Sequence, residues 1–176
     1  MSADRRRTAD DLLKARAQHW PEAVTPISRL MVRVFRFGNL VLENARREVA
    51  SHGLTLTEFE VLVTLRSVQP PHQLAPTELY GAVLISSGGL TKVLYAMEGR
   101  KLITRREGET DRRSKPVRLT AKGRALAERA MADVLRTDGE LVAGGLSENE
   151  IERLTRMLGK LLATLEPRQA ARSEDR

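Results

Sequence analysis

Two short stretches concentrate the side chains able to grip another polymer. The first is Ile85-Ser86-Ser87-Gly88-Gly89-Leu90-Thr91-Lys92. Small hydroxylated residues and glycines let a backbone approach a ligand closely, and the free amides at a helix start favour an anion. Thr91 and Lys92 follow within a turn and a half, and Tyr95 lies one helical turn beyond Thr91. Leu90, Val93, Leu94 and Met97 take the opposite side at helical spacing, so one face carries hydrogen-bonding groups and the other packs. The second stretch is Asp111-Arg112-Arg113-Ser114-Lys115. Cations at this density suit a phosphate backbone, and an arginine can enter a narrow minor groove. Asp111 beside them can orient one guanidinium through a forked ion pair.

The surrounding pattern says what must position these residues. Thr25-Pro26 opens a helix in which Ile27, Leu30, Met31, Val34, Val41, Ala45 and Val49 recur at helical spacing, ended by Gly53. Thr57-Glu58-Phe59-Glu60 reads as a capping box, Glu60 reaching back to the Thr57 amide, and starts a second helix to about Val68. Gln69-Pro70-Pro71-His72 is a loop, and Pro76 opens a third helix through Ala82. The fourth helix is expected from about Ser87 to Gly99. Two β-prone runs, 102–106 and 117–119, flank a polar loop and read as a hairpin. Thr120 caps a long helix with Leu126, Ala130, Val134 and Leu141, broken at Gly144-Gly145. Ser147 and Glu150 form a further capping box, and Ile151, Leu154, Leu158, Leu161, Leu162 and Leu165 make one stripe on the last helix. The tail after Pro167 is expected to fray.

Helix, helix, sharp turn, helix and basic hairpin is the order of a winged helix-turn-helix, which suits duplex DNA because a helix fits the major groove. The fold expected is therefore mainly α: N-terminal helices over 1–53, a winged helix-turn-helix over 54–120 and C-terminal helices over 121–176. The terminal stripes are too wide for the small middle to cover, so the ends of two chains are expected to pair as a homodimer.

Charge agrees with this layout. The 176 residues carry 30 Lys and Arg against 23 Asp and Glu, a net +7. Residues 75–124 hold eleven basic and five acidic side chains, net +6, whereas residues 125–176 are net −2. The excess belongs to one module on a neutral scaffold. Cysteine is absent, which excludes disulfides and thiol redox sensing. The three histidines, His19, His52 and His72, are isolated, so no metal or other cofactor is expected. Aromatic residues are 3% of the chain, too few for stacking on single-stranded bases to be the main activity. No apolar run is long enough for a membrane span and no secretory segment is visible, so a cytoplasmic location is expected.

The chain resembles the MarR (multiple antibiotic resistance regulator) family of bacterial transcription factors. The resemblance rests on Leu54-Thr55-Leu56-Thr57-Glu58-Phe59, Leu74-Ala75-Pro76-Thr77-Glu78-Leu79, the stretch from Ile85 to Lys92, Met97-Glu98 before Leu102-Ile103-Thr104-Arg105, and Asp111-Arg112-Arg113-Ser114 followed by Val117-Arg118-Leu119-Thr120-Ala121-Lys122-Gly123. It covers roughly residues 26–165. It implies a homodimeric regulator of a pseudo-palindromic operator, usually a repressor released by a small ligand. Ser86, Ser87, Thr91 and Lys92 match recognition-helix positions, Thr77 a phosphate contact, Arg113 the wing arginine of the minor groove, and Asp111 the acid that steadies it. Two positions depart from the family pattern. Lys101 stands where many members have the glycine of a left-handed turn, and Ala75 stands where many have a Ser or Thr cap.

The resemblance also bears on what is sensed. A subset recognising urate-like anions has a Trp in its first helix and an acid in the helix after the capping box. Trp20 and Glu60 match those positions, although that subset has Asp at the second, and its recognition-helix Arg has no obvious counterpart here. The plainer roles are packing for Trp20 and capping for Glu60. A small aromatic or phenolic anion is the effector expected. Catalysis is not expected: Ser86-Ser87-Gly88-Gly89 follows a helix rather than a strand, and no Gly-Lys-Ser/Thr completes a phosphate loop. A winged helix used for protein contacts or RNA is the alternative, but it would call for an apolar patch or stacking aromatics. Replacing Arg113 by Ala is expected to weaken operator binding by roughly 1–3 kcal/mol if that arginine reads a groove. A gel-shift titration with unchanged affinity would remove the wing from the reading.

Overall fold

The computed structural model describes residues 7–83, 89–105 and 116–174, with side chains up to residue 167. The chain divides into two compact units, Met1–Leu135 and Arg136–Arg176.

The first unit begins with α1, Ala9–His19, whose start is a capping box: the Thr8 hydroxyl accepts from the Asp11 amide, and the Thr8 amide and hydroxyl both donate to the Asp11 carboxylate. Those bonds hold the Asp11 carboxyl below its ordinary value. A 3-10 turn at Pro21–Ala23 leads to α2, Pro26–Ser51, capped by Thr25 with Ser28. Of the stripe along α2, only the C-terminal end is buried, at Ala45 and Val49; Ile27, Leu30, Met31 and Val34 are exposed.

α2 closes on left-handed Gly53 (φ 67°), with Leu54 N–H donating to Val49 O at 3.0 Å and Gly53 N–H to Ala50 O at 2.9 Å. This Schellman pattern satisfies carbonyls that the helix itself leaves open. It aims the chain straight into α3, Leu56–Ser67. Here the structure corrects the expected cap. Thr55, not Thr57, is the cap, and Glu58, not Glu60, reaches back: the Thr55 amide donates to Glu58 Oε2 at 2.8 Å. Both pairs fit the pattern. Burial separates them, because the start at Leu56 turns Phe59, Val61, Leu62 and Leu65 into the core.

α4, Pro76–Ala82, has the expected bounds. Ala75 offers no hydroxyl, so its start keeps only the bond from the Ala75 amide to Glu78 at 2.7 Å. α5 is Leu90–Gly99, and the expected start at Ser87 lies outside the described residues; Gly89 stands as its left-handed cap at φ 105°, a conformation open to glycine. Leu90, Leu94 and Met97 are buried, with Val93 packed beside them.

Strands β1 (Gln73–Leu74), β2 (Ile103–Arg105) and β3 (Val117–Leu119) form an antiparallel sheet in the order β1-β3-β2. The β2–β3 pairing is the expected hairpin, with Ile103 opposite Leu119 and Arg105 opposite Val117. The sequence pattern assigns no element to Gln73–Leu74, because two residues are too short for a period to show.

Thr120 caps α6, Ala121–Ala143, accepting from the Gly123 amide at 2.9 Å. Its hydroxyl is also 2.8 Å from Lys101 O and 2.9 Å from Leu102 O, so one side chain ties the sheet exit to the end of α5. Core residues from α2, α3, α4, α5, the sheet and the first half of α6 make one cluster.

The second unit holds the last turns of α6 and α7, Glu148–Glu174. The Ser147 amide and hydroxyl donate to Glu150, at 2.9 and 2.6 Å, and hold that carboxyl below its ordinary value. The helix continues past Pro167 instead of fraying there. Pro167 costs it one backbone bond, but the residues that follow, Arg168-Gln169-Ala170-Ala171-Arg172, are strong helix formers. No described helix is long and apolar enough to cross a membrane.

Gly123 lies where α6 crosses the start of the sheet. A Cβ there would collide with the Leu102 carbonyl oxygen and press on Leu119. The helix-propensity gain of Ala, about 1 kcal/mol, cannot offset a collision with backbone. Gly123→Ala is therefore expected to destabilise the fold by about 1–3 kcal/mol in chemical denaturation; a variant as stable as the parent would show that α6 can move away freely.

Candidate nucleic-acid interface

The end of α5 is fixed before its face is presented. α5 closes as α2 does, with Leu102 N–H donating to Met97 O at 3.0 Å and Lys101 N–H to Glu98 O at 2.8 Å. The left-handed residue is Lys101, at φ 59°, as the resemblance implied. A non-glycine there costs on the order of 1 kcal/mol, and the surrounding bonds over-determine it. The adjoining Arg100 side chain reaches back to the front of the unit. Its Nη1 meets buried Glu58 at 2.8 Å and its Nη2 donates to Gly53 O at 2.8 Å. Lys122 Nζ donates to the Arg100 carbonyl at 3.0 Å. Glu58 thus caps α3 with one oxygen and anchors the end of α5 with the other.

With three sides held, α5 shows the fourth to solvent. Thr91, Lys92 and Tyr95 are exposed on the face opposite Leu90, Leu94 and Met97. Thr77 is exposed on α4. Gly89, Thr91, Lys92, Tyr95 and Thr77 therefore stand on the solvent side of one helix pair or its cap. Ser86, Ser87, Asp111, Arg112, Arg113 and Lys115 lie outside the described residues.

Two residues at this face, and one on the outer face of the sheet, were not anticipated from sequence. Tyr80, on α4 and half exposed, places its hydroxyl 2.9 Å from Thr91 Oγ1. Arg105, on β2, sets its guanidinium carbon 5.0 Å from the centre of the Tyr95 ring, a cation–π contact. Its backbone amide donates to Glu98 at 2.9 Å. Arg118, exposed on the central strand, pairs in register with Gln73 and Thr104 and adds a cation to the outer face of the sheet. The signal for Arg118 was strand alternation, which puts it with Gln73 and Thr104 on the outer face, whereas Arg105, opposite buried Val117, lies on the other side of the sheet, towards Tyr95 of α5.

The two expected ligand residues are not brought into one cavity. Trp20 is the C-cap of α1 and 64% exposed, so it neither lines a described pocket nor packs as a core residue. Glu60 lines an open groove of about 690 Å³ between α3, α4, β1 and α6, with Phe59, Val63, Leu74 and Met131. Glu78 is the second carboxylate of that groove, and its described lining holds no basic side chain. Of the histidines, His52 Nε2 meets Asp133 at 2.9 Å and His72 Nδ1 meets Val68 O at 2.7 Å, and among the described residues no cluster could hold a metal ion.

Comparison with known proteins agrees with this architecture. The MarR family model matches residues 54–115. The HTH-type transcriptional regulator PecS of Dickeya dadantii (strain 3937) is 30% identical over 124 residues, 70% of this chain and 74% of the relative. The transcriptional repressor MprA of Escherichia coli (strain K12) is 29% identical over 160 residues, 89% of this chain and 88% of the relative. A MarR family transcriptional regulator from Streptomyces coelicolor, solved in complex with DNA, superposes with a TM-score of 0.69 at 20% identity, covering 82% of this chain and 91% of that one.

Arg100→Ala leaves the Glu58 carboxylate buried with only its cap, and frees the end of α5. The expected loss is about 1–3 kcal/mol of stability, read from denaturant midpoints. A midpoint that does not move would show that α5 is held by its apolar face alone.

Proposed function

This chain belongs to the MarR family of transcriptional regulators, and on that premise we propose that it is a homodimeric, sequence-specific reader of a pseudo-palindromic duplex operator that acts as a ligand-responsive repressor. The observation that carries the reading is the two-sided α5. Its inner face is locked in the core, and its outer face offers Thr91, Lys92 and Tyr95 beside a β-hairpin wing. A helix so mounted can enter a major groove with hydroxyl and ammonium groups leading. Residues 54–120 are the DNA-binding region in this reading, and 1–53 with 121–176 supply the dimer.

Support for the dimer comes from the exposed apolar stripes. α2 presents Ile27, Leu30, Met31, Val34 and Phe35 to solvent, and α7 presents Leu154, Met157, Leu158, Leu161 and Leu165. Patches of this extent on helices mark surfaces that bind protein. A two-fold arrangement also matches two half-sites about one helical turn apart. The repressor role follows the relative named as a repressor. The groove on α3 and α4 is the cavity suited to an apolar effector. Its two carboxylates weigh against an aromatic anion in that place, so an anionic effector would need the basic residues elsewhere in the lobe.

The test is binding-site selection from random duplexes with the full chain, followed by gel shifts on the enriched sequence. An inverted-repeat motif is expected, with affinity falling steeply as salt rises. Lys92→Ala is expected to weaken binding to the selected site more than to random duplex. Equal losses would make Lys92 a phosphate contact, and a flat salt response would rule out a charge-driven interface.

A further inference from the structure

We propose that Tyr80, a residue outside the expected contact set, positions the Thr91 hydroxyl so that it acts as a hydrogen-bond donor to the nucleic acid. The inference rests on the DNA-reading function proposed above and concerns how that face discriminates between bases.

The geometry is a single hydroxyl pair. Tyr80 Oη and Thr91 Oγ1 are 2.9 Å apart, a good hydrogen-bond distance, and join α4 to α5 across eleven residues of sequence. Each hydroxyl has one proton and two lone pairs. A phenol O–H is more polar than an alcohol O–H, and so is the better donor. With the phenol proton given to Thr91 Oγ1, the threonine proton is left to point outward. Thr91 is exposed, and Tyr80 is its one side-chain partner among the described residues, which leaves the threonine proton for the ligand side of α5.

A threonine free to rotate can donate or accept, and tolerates any base edge. A threonine with one of its two lone pairs taken by Tyr80 has its own O–H polarised into a stronger donor, and favours an acceptor: purine N7, guanine O6, thymine O4 or a phosphate oxygen. The amino groups of cytosine and adenine can use only the one lone pair that remains, and are the poorer match. The bond also fixes one rotamer of Thr91, which removes an ordering cost at the moment of binding. Tyr95, one turn further along the same face, is held in a comparable way by Arg105 at 5.0 Å. Both ends of the exposed face are thus set by side chains from neighbouring elements.

The test is binding-site selection with the full chain as wild type, Tyr80→Phe, Thr91→Val and the double variant. Tyr80→Phe keeps the ring and loses only the hydroxyl, and its melting temperature is measured alongside to show that the fold is intact. The expected result is a relaxed base preference at one position per half-site in Tyr80→Phe, the same position relaxed by Thr91→Val. Affinity for the wild-type site should fall roughly three- to tenfold, and the double variant should be no worse than Thr91→Val alone. Thr91→Ser, which keeps a hydroxyl, should retain the wild-type preference. An unchanged motif and affinity in Tyr80→Phe would overturn the proposal. So would an equal loss on every duplex, which makes Tyr80 a direct phosphate contact. A wild-type chain that enriches no motif overturns the DNA-reading function itself, an outcome distinct from both.

Discussion

The Glu58–Arg100 pair is the constraint on which the rest of the DNA-facing lobe depends. A carboxylate at 9% exposure is expensive to bury unless its oxygens are taken up. Glu58 solves this by dividing its work. One oxygen closes the start of α3 on Thr55, and the other receives the guanidinium of Arg100 from the end of α5. Arg100 in turn takes the Gly53 carbonyl, at the close of α2. The adjoining ends of α2 and α3 and the distant end of α5 are thereby tied at one point. The pair is partly open to solvent on the Arg100 side, so its value lies less in Coulomb energy than in leaving no buried group unsatisfied.

From that point the presentation of α5 follows. Its C-terminus turns through left-handed Lys101 into β2, and Thr120 fastens the returning β3 to the same turn. Gly123 lets α6 approach the Leu102 carbonyl closely enough to complete the core. The hairpin root and the helix terminus are consequently joined by backbone and side-chain hydrogen bonds, with the outer face of α5 left to solvent. The surface ion pairs, such as Arg66–Glu128, are half exposed and contribute far less. Apolar burial supplies the bulk of the stability, and the polar ties choose which arrangement it stabilises.

Much of this was legible in the residue pattern. The ends of α2, the bounds of α4, the β2–β3 hairpin and the caps at Thr120 and Ser147 each rest on a local rule satisfied within a few residues. The misplaced cap of α3 shows where such rules stop. Thr55 with Glu58 and Thr57 with Glu60 are equivalent over four residues, and they are told apart by core burial and by Arg100, more than forty residues away, which takes up Glu58. β1 was missed for a similar reason: it is a strand because β3 lies beside it. Tyr80 and Arg105 were missed as parts of the exposed face because their partners, Thr91 and Tyr95, come from other elements.

The sequence by itself determined the helical order, the segregation of +6 of the net charge into residues 75–124, the two-sided character of α5 and the absence of thiol chemistry. These are properties of spacing and composition, and no distant contact can change them. Tertiary structure alone decided which glutamate caps and which lines a groove, that Trp20 stands at the surface, and that the Thr91 hydroxyl has a phenol beside it. The physical reason is the range of the forces involved. Periodicity and capping act within a turn or two of chain, whereas pairing a buried charge or orienting a hydroxyl needs a partner that only folding brings within 3 Å.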